Sequence, residues 1–150
     1  MTGSTVLAGL LIAVMAALSL LHGYWGLGGV WPGTDAASLA RTVVGVRSGR
    51  MPGLVPSLFV AACLFAVAAF IAWRAGWFPS LGLPHWLWSA GYFGATLVFA
   101  ARGLAGFLPA VFRYAEGTPF ARLNLIIYSP LCLAIAAGMI VLWLTRRPEG

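Results

Sequence analysis

The chain has 150 residues, of which 61% are hydrophobic and only 8% charged, whereas soluble domains carry roughly 25% charged residues. Its formal net charge of +6 comes from arginine with no lysine, set against the carboxylates Asp35, Glu116 and Glu149. This composition excludes an ordinary soluble enzyme. Because the arginines flank apolar stretches, it also points to anionic lipid rather than nucleic acid as the neighbour of the basic groups.

The first uncharged stretch, Thr5 to Trp25, is long enough to span a bilayer at about 20 residues per crossing. It has no basic n-region and outruns the apolar core of a signal peptide, about 7–15 residues, so it reads as a retained helix. The segment from Gly26 to Val55 follows. In it Asp35 precedes a run in which Leu39, Val43 and Val46 share one side while Arg41, Arg47 and Arg50 reach outward. That pattern predicts an interfacial amphipathic helix over the bundle mouth, with Asp35 as its cap or in a ligand or catalytic role.

Gly53 to Trp73 is the second uncharged stretch, and Ala75 to His85 is a turn-forming hairpin with Gly76, Pro79, Gly82 and Pro84. Trp77, Phe78 and Trp86 place it at headgroup level. The third stretch, Trp86 to Leu108, is interrupted by Arg102 alone. After the Pro109 to Arg122 loop, Thr118 and Pro119 form the N-cap and first-position signal of a last helix, which runs from Leu123 to Thr145 with Pro130 inside it. The expected fold is an all-α integral membrane four-helix bundle, one domain over 1–150. Its spans cover about 5–25, 53–74, 86–108 and 122–145, with an interfacial segment between helices one and two. The expected location is a cell membrane, multi-pass, and a bacterial cytoplasmic membrane in view of a lysine-free Ala-, Gly-, Pro- and Arg-rich composition, which is associated with GC-rich bacterial genomes. Counted literally, the positive-inside rule puts Arg41, Arg47, Arg50, Arg113 and Arg122 inside, with both termini outside beside Arg74, Arg146 and Arg147; if the first loop's arginines serve a site instead, the count reverses.

An ionisable residue inside a span is a functional-site hypothesis by default. Arg102 lies about 9 Å below the end of its helix at 1.5 Å per residue, and Asn124 with Tyr128 occupies a comparable layer of helix four. Ser19 and His22 end helix one, near Trp25, and Ser57 begins helix two. The expected ligand-binding set is therefore Arg102, Asn124, Tyr128, His22, Trp25 and Ser57, with His22 as the candidate for proton transfer. Gly91, Ala95, Val98, Arg102 and Gly106 recur at helical spacing, giving Arg102 a small-residue face for close packing. Asn124, Tyr128 and Cys132 align by the i, i+4 rule. Pro130 frees the carbonyl of Ile126 beside Tyr128. The structural alternatives are an ion pair or snorkelled anchor for Arg102, an interfacial anchor for His22 and Tyr128, and a packing kink at Pro130.

No cofactor or metal is expected. His22 and His85 lie at opposite faces, roughly 30 Å apart across the hydrocarbon core, so they cannot share a haem. Cys63 and Cys132 are single mid-helix residues with no C-x-x-C pair, which reads as packing rather than redox chemistry. None of the spans contains Asp or Glu, against proton-coupled cation export. An embedded cation favours an anionic or acceptor-rich partner such as a phosphate, a carboxylate or a quinone carbonyl.

His22-x-x-Trp25-x-x-Gly28-Gly29 with Trp31-Pro32, the helix-three arginine and Tyr128-Ser129-Pro130-Leu131-Cys132 together resemble a bacterial family of small, uncharacterised four-helix membrane proteins, a domain of unknown function. The resemblance implies fold and membrane location and supplies no activity. The chain is also similar in size and basicity to the trimeric four-helix enzymes of eicosanoid and glutathione metabolism, but it lacks their helix-two Arg, Asn and Glu motif.

Two functions follow from the sequence. One is a pocket at the membrane face for an amphipathic anionic or carbonyl-bearing molecule, extending to a lipid-modifying or isomerising enzyme if His22 transfers protons. The other is a non-catalytic accessory or structural subunit, in which Arg102 pairs with Glu116 or with a carboxylate of a membrane-protein partner or second copy. Passive anion transport is disfavoured by the scarcity of polar side chains beyond Cys132.

Overall fold

The computed structural model describes residues 2–145, so Arg146, Arg147 and Glu149 lie outside the described residues. The described residues are helical, with no strand among them. Helix α1 spans Gly3–Gly26, a short α2 spans Ala36–Leu39 and runs into a π-helical turn at Ala40–Val44, and α3 spans Leu54–Arg74. Helix α4 spans His85–Ala105. A last helical rod comprises α5, Pro119–Leu123, a π-helical turn at Asn124–Tyr128, and α6, Ser129–Thr145.

Three helices, Gly3–Gly26, Leu54–Arg74 and Pro119–Thr145, are long and apolar enough to cross a membrane. The last of these begins at Pro119, before the expected 122, because Thr118 is extended at the N-cap and Pro119 supplies a preset first position. Helix α4, though 21 residues long, does not reach that apolarity. Arg102, His85 and the polar aromatics dilute it, and it ends at Ala105 instead of continuing to Leu108.

The long helices share one core, in which Ala8, Leu11 and Met15 of α1 meet Val67, Ala68 and Ile71 of α3, Tyr92 of α4, and Ile135, Met139 and Leu142 of α6. Neighbours run antiparallel. The end of α1 meets the start of α3, where a Cβ on Gly26 would stand 3.0 Å from that of Ser57, and Ser19 Oγ donates to the Ala61 carbonyl at 2.8 Å. At the opposite end Tyr92 OH donates to the Met139 carbonyl at 2.7 Å and ties α4 to α6. Large apolar side chains such as Leu20, Phe59, Phe65, Leu97 and Leu144 point outward, a surface that lipid would cover.

The hairpin expected between Ala75 and His85 is present, with Gly76 and Gly82 at positive φ and Leu81 forced to φ 52, a region that non-glycine residues rarely occupy. Trp88 fixes it by donating Nε1–H to the Ser80 carbonyl at 2.9 Å. Helix α4 then packs closely on α6 because Gly103 has no side chain: a Cβ there would stand 2.7 Å from Leu133 Cγ and 3.1 Å from the Leu133 backbone nitrogen. Gly103→Ala is therefore expected to cost about 1–3 kcal/mol through overpacking, seen as a lowered thermal midpoint in detergent. Gly94→Ala, where a Cβ meets nothing within 4 Å, is expected to leave the midpoint unchanged or raised.

Candidate functional site

The π-helical turn at Asn124–Tyr128 sets the geometry of the site, since its extra residue changes which side chains share a face. In an uninterrupted α-helix Asn124 would align with Tyr128. Here it aligns with Ser129, whose Oγ donates to Asn124 Oδ1 at 3.3 Å. Tyr128 is turned aside and its hydroxyl donates instead to the Thr42 carbonyl at 3.2 Å, in the segment that follows α2. The turn lies just ahead of Pro130, whose ring nitrogen cannot donate to the preceding turn.

Arg102 and Asn124, which the sequence puts at comparable depth, are in contact, with Arg102 Nη2 donating to Asn124 Oδ1 at 2.8 Å. Asn124, which is buried, donates its Nδ2 to the Gly106 carbonyl at 2.9 Å. One amide therefore satisfies both the arginine and the carbonyl at the end of α4, which has no downstream helical partner. The Arg102 guanidinium carbon lies 4.6 Å from the centre of the Phe112 ring, in cation–π contact. Its Nη1 is buried without a hydrogen-bond partner. A Cβ on Gly106 would collide with Ser129 Oγ and stand 3.2 Å from Arg102 Nη1, so the absence of a side chain at Gly106 leaves room for this arrangement.

The small-residue face of α4 departs from the sequence expectation at Val98, which is 66% exposed. Trp88, Tyr92, Thr96 and Gly103 form the buried row instead, about one residue out of phase with the expected one. Glu116 does not neutralise Arg102. It is exposed, and its backbone carbonyl accepts from Arg47 Nε at 3.0 Å.

The remaining predicted residues form a separate group on α1 and α3. His22 Nδ1–H donates to the Leu18 carbonyl at 2.8 Å, and the imidazole packs edge-on against Trp25 with ring centroids 5.0 Å apart. Trp25 Nε1 in turn donates to the Trp31 carbonyl at 2.7 Å. Ser57 is buried beneath Gly26. Among the described residues no hydrogen bond or ring contact links His22, Trp25 or Ser57 to Arg102, Asn124 or Tyr128. The expected single constellation is thus two groups, on two helix pairs.

The segment after Asp35, expected as an interfacial helix, is docked on the chain. Asp35 caps α2 by accepting from the Ser38 backbone N–H at 2.7 Å, and that bond holds its carboxyl below the usual carboxylate range. Leu39 and Ala40 are buried. At Gly45, with φ 85, a Cβ would stand 2.7 Å from the Ala115 Cβ and 2.8 Å from Phe120. Tyr114 OH donates to the Val44 carbonyl at 3.3 Å beside the Tyr128 bond.

Sequence reasoning missed Arg74 as a buried residue by counting it among the flanking charges. Its Nη2 donates to the Trp143 carbonyl at 2.7 Å, and its guanidinium lies 4.4 Å from the centre of the Trp143 ring. The position offered no clear signal, since an arginine at the last residue of an apolar helix normally snorkels outward. A wholly apolar cleft of about 300 Å³ lies near this end, lined by Phe70, Leu83, Leu87, Trp88, Ala90 and Gly91. It is at the opposite end of the helices from Arg102. No group of three or more His, Cys, Asp or Glu side chains suited to a metal occurs among the described residues. Cys63 and Cys132 are both free thiols.

Two substitutions test this geometry. Asn124→Leu strands the Arg102 Nη2 and the Gly106 carbonyl in a buried setting, and it is expected to cost at least about 1–3 kcal/mol in detergent unfolding. Tyr128→Phe removes only the bond to Thr42, worth about 1 kcal/mol, and should raise amide exchange over residues 40–45 roughly fivefold while leaving the core protected.

No match was found among curated proteins or among solved structures. A family described as protein of unknown function (DUF3995) matches residues 6–139. That match takes in most of the long helices, the docked segment and the Arg102–Asn124 pair, and the chain belongs to this family.

Proposed function

We propose that this is a four-span membrane protein, with α4 as the fourth crossing, that binds an anionic or carbonyl-bearing amphipathic molecule at Arg102. The observation that carries the reading is the state of the guanidinium. Nη2 is held by Asn124, Nη1 is buried with no partner, and no carboxylate pairs with it among the described residues. A buried donor left unmade costs roughly 1–3 kcal/mol, more when charged, so an unmatched group of this kind calls for an unseen acceptor. α4 packs between α3 and α6 in the same core as the three strongly apolar helices, which supports its crossing with them.

In this reading Asn124 orients the guanidinium and Nη1 supplies a charge-assisted hydrogen bond to one oxygen of the ligand. Phe112 belongs to the non-helical stretch after α4 and covers the guanidinium, so the ligand oxygen enters as that ring moves aside. Tyr128 serves as a tie to the docked segment and not as a ligand contact. His22 stands apart on α1, so the reading is of binding, with no proton-transfer step assigned.

Native mass spectrometry of the gently extracted protein tests the proposal. A discrete small-molecule mass is expected on the native chain, with occupancy about tenfold lower or less in Arg102→Gln, as loss of a charge-assisted hydrogen bond implies. Tyr128→Phe, which leaves the guanidinium intact, should retain it. Equal occupancy in a folded Arg102→Gln variant would refute the site. So would a co-purifying protein, with no small molecule, that is lost in that variant, since its carboxylate would then be the missing partner.

A further inference from the structure

Arg41, Arg47 and Arg50 lie far from Arg113 and Arg122 in sequence, yet the fold gathers all five on one cap. The π turn that carries Arg41, Ala40–Val44, packs on α5, which carries Arg122. Arg47 Nε bonds the carbonyl of Glu116, three residues after Arg113. All five arginines are exposed, and none is ion-paired among the described residues. Among the described residues only two acids face these five arginines, so the cap stays net positive: the Asp35 carboxylate accepts from the Ser38 backbone N–H and feels the charge of Arg41, and Glu116 is exposed.

The rim of the cap is aromatic and its underside apolar. Tyr24, Trp31 and Tyr114 are exposed around it, and Leu54, Val55, Leu58 and Phe59 on the first turns of α3, with Phe107 and Leu108 after α4, are exposed just below. Exposed guanidinium groups beside exposed aromatics and an adjoining apolar wall suit a phospholipid lying alongside, with phosphate at the arginines and acyl chains along the helices.

We propose that this cap is a binding surface for anionic phospholipid headgroups, separate from the Arg102 site. Juxtamembrane arginines each favour anionic over zwitterionic lipid by about fivefold. Guanidinium groups also suit phosphate better than ammonium groups do, because their donors lie in one plane and match two oxygens.

The test is native mass spectrometry of the protein released from nanodiscs containing equal phosphatidylglycerol and phosphatidylcholine. Selective retention of phosphatidylglycerol is expected. The combined Arg41→Gln, Arg50→Gln and Arg122→Gln variant should lower that selectivity by about tenfold or more, while the corresponding lysine variant keeps most of it. Arg47 is left in place because it also holds Glu116. Excess inorganic phosphate should leave the lipid bound, because the acyl chains contribute to its attachment, and Arg102→Gln should not alter retention at the cap. No preference for phosphatidylglycerol, equal preference in a glutamine variant of unchanged thermal midpoint, or full displacement by inorganic phosphate would each overturn the proposal.

Discussion

The side-chain amide of Asn124 is the interaction on which the polar end of this molecule depends. Its oxygen accepts from Arg102 and Ser129 and its nitrogen donates to the Gly106 carbonyl. One buried group therefore fixes the arginine, the end of α4 and the start of α6. Few side chains could replace it, because the site requires acceptance on one side and donation on the other. An aspartate would accept but not donate, and a leucine would do neither.

This amide is useful only because the helix around it is irregular. The π turn inserts one residue per turn relative to an α-helix, which brings Ser129 under Asn124 and swings Tyr128 out to the docked segment. A single backbone irregularity thus serves two ends: it completes the inner network and supplies an outer tie. The docked segment depends on the same region for its seat, since Ala115 and Phe120 leave room for Gly45 and no side chain. Arginines distant in sequence are thereby brought onto one surface.

The helices below tolerate this arrangement because their association relies on small residues and a few backbone-directed hydrogen bonds. Gly103 against Leu133, Ser19 to Ala61 and Tyr92 to Met139 draw the backbones together. Between apolar surfaces in lipid there is little hydrophobic drive, so close approach and hydrogen bonding carry the specificity. Arg74, stacked on Trp143 and bonded to its carbonyl, gives the opposite end a buried cation of its own.

The sequence by itself determined the helical class, the three strongly apolar helices, the Gly- and Pro-rich hairpin, the Asp35 cap and the Thr118–Pro119 start, because each follows from local hydropathy, turn chemistry or capping. It also put Arg102 and Asn124 in one layer, since depth needs only the rise per residue, but the bond between them was not foreseen. Helical phase was less legible. Val98 was assigned inward and faces out, and Tyr128 was aligned with Asn124 where Ser129 stands. An error of about one residue is enough to rotate a side chain by about 100°, and Pro130 signals an irregular helix there without fixing which residues its extra residue brings together. Only the tertiary structure decided that His22, Trp25 and Ser57 stand apart from Arg102, that Arg74 is buried, and that the docked segment rests on Phe120. These facts depend on which helices are neighbours, and adjacency is set by packing across the whole chain.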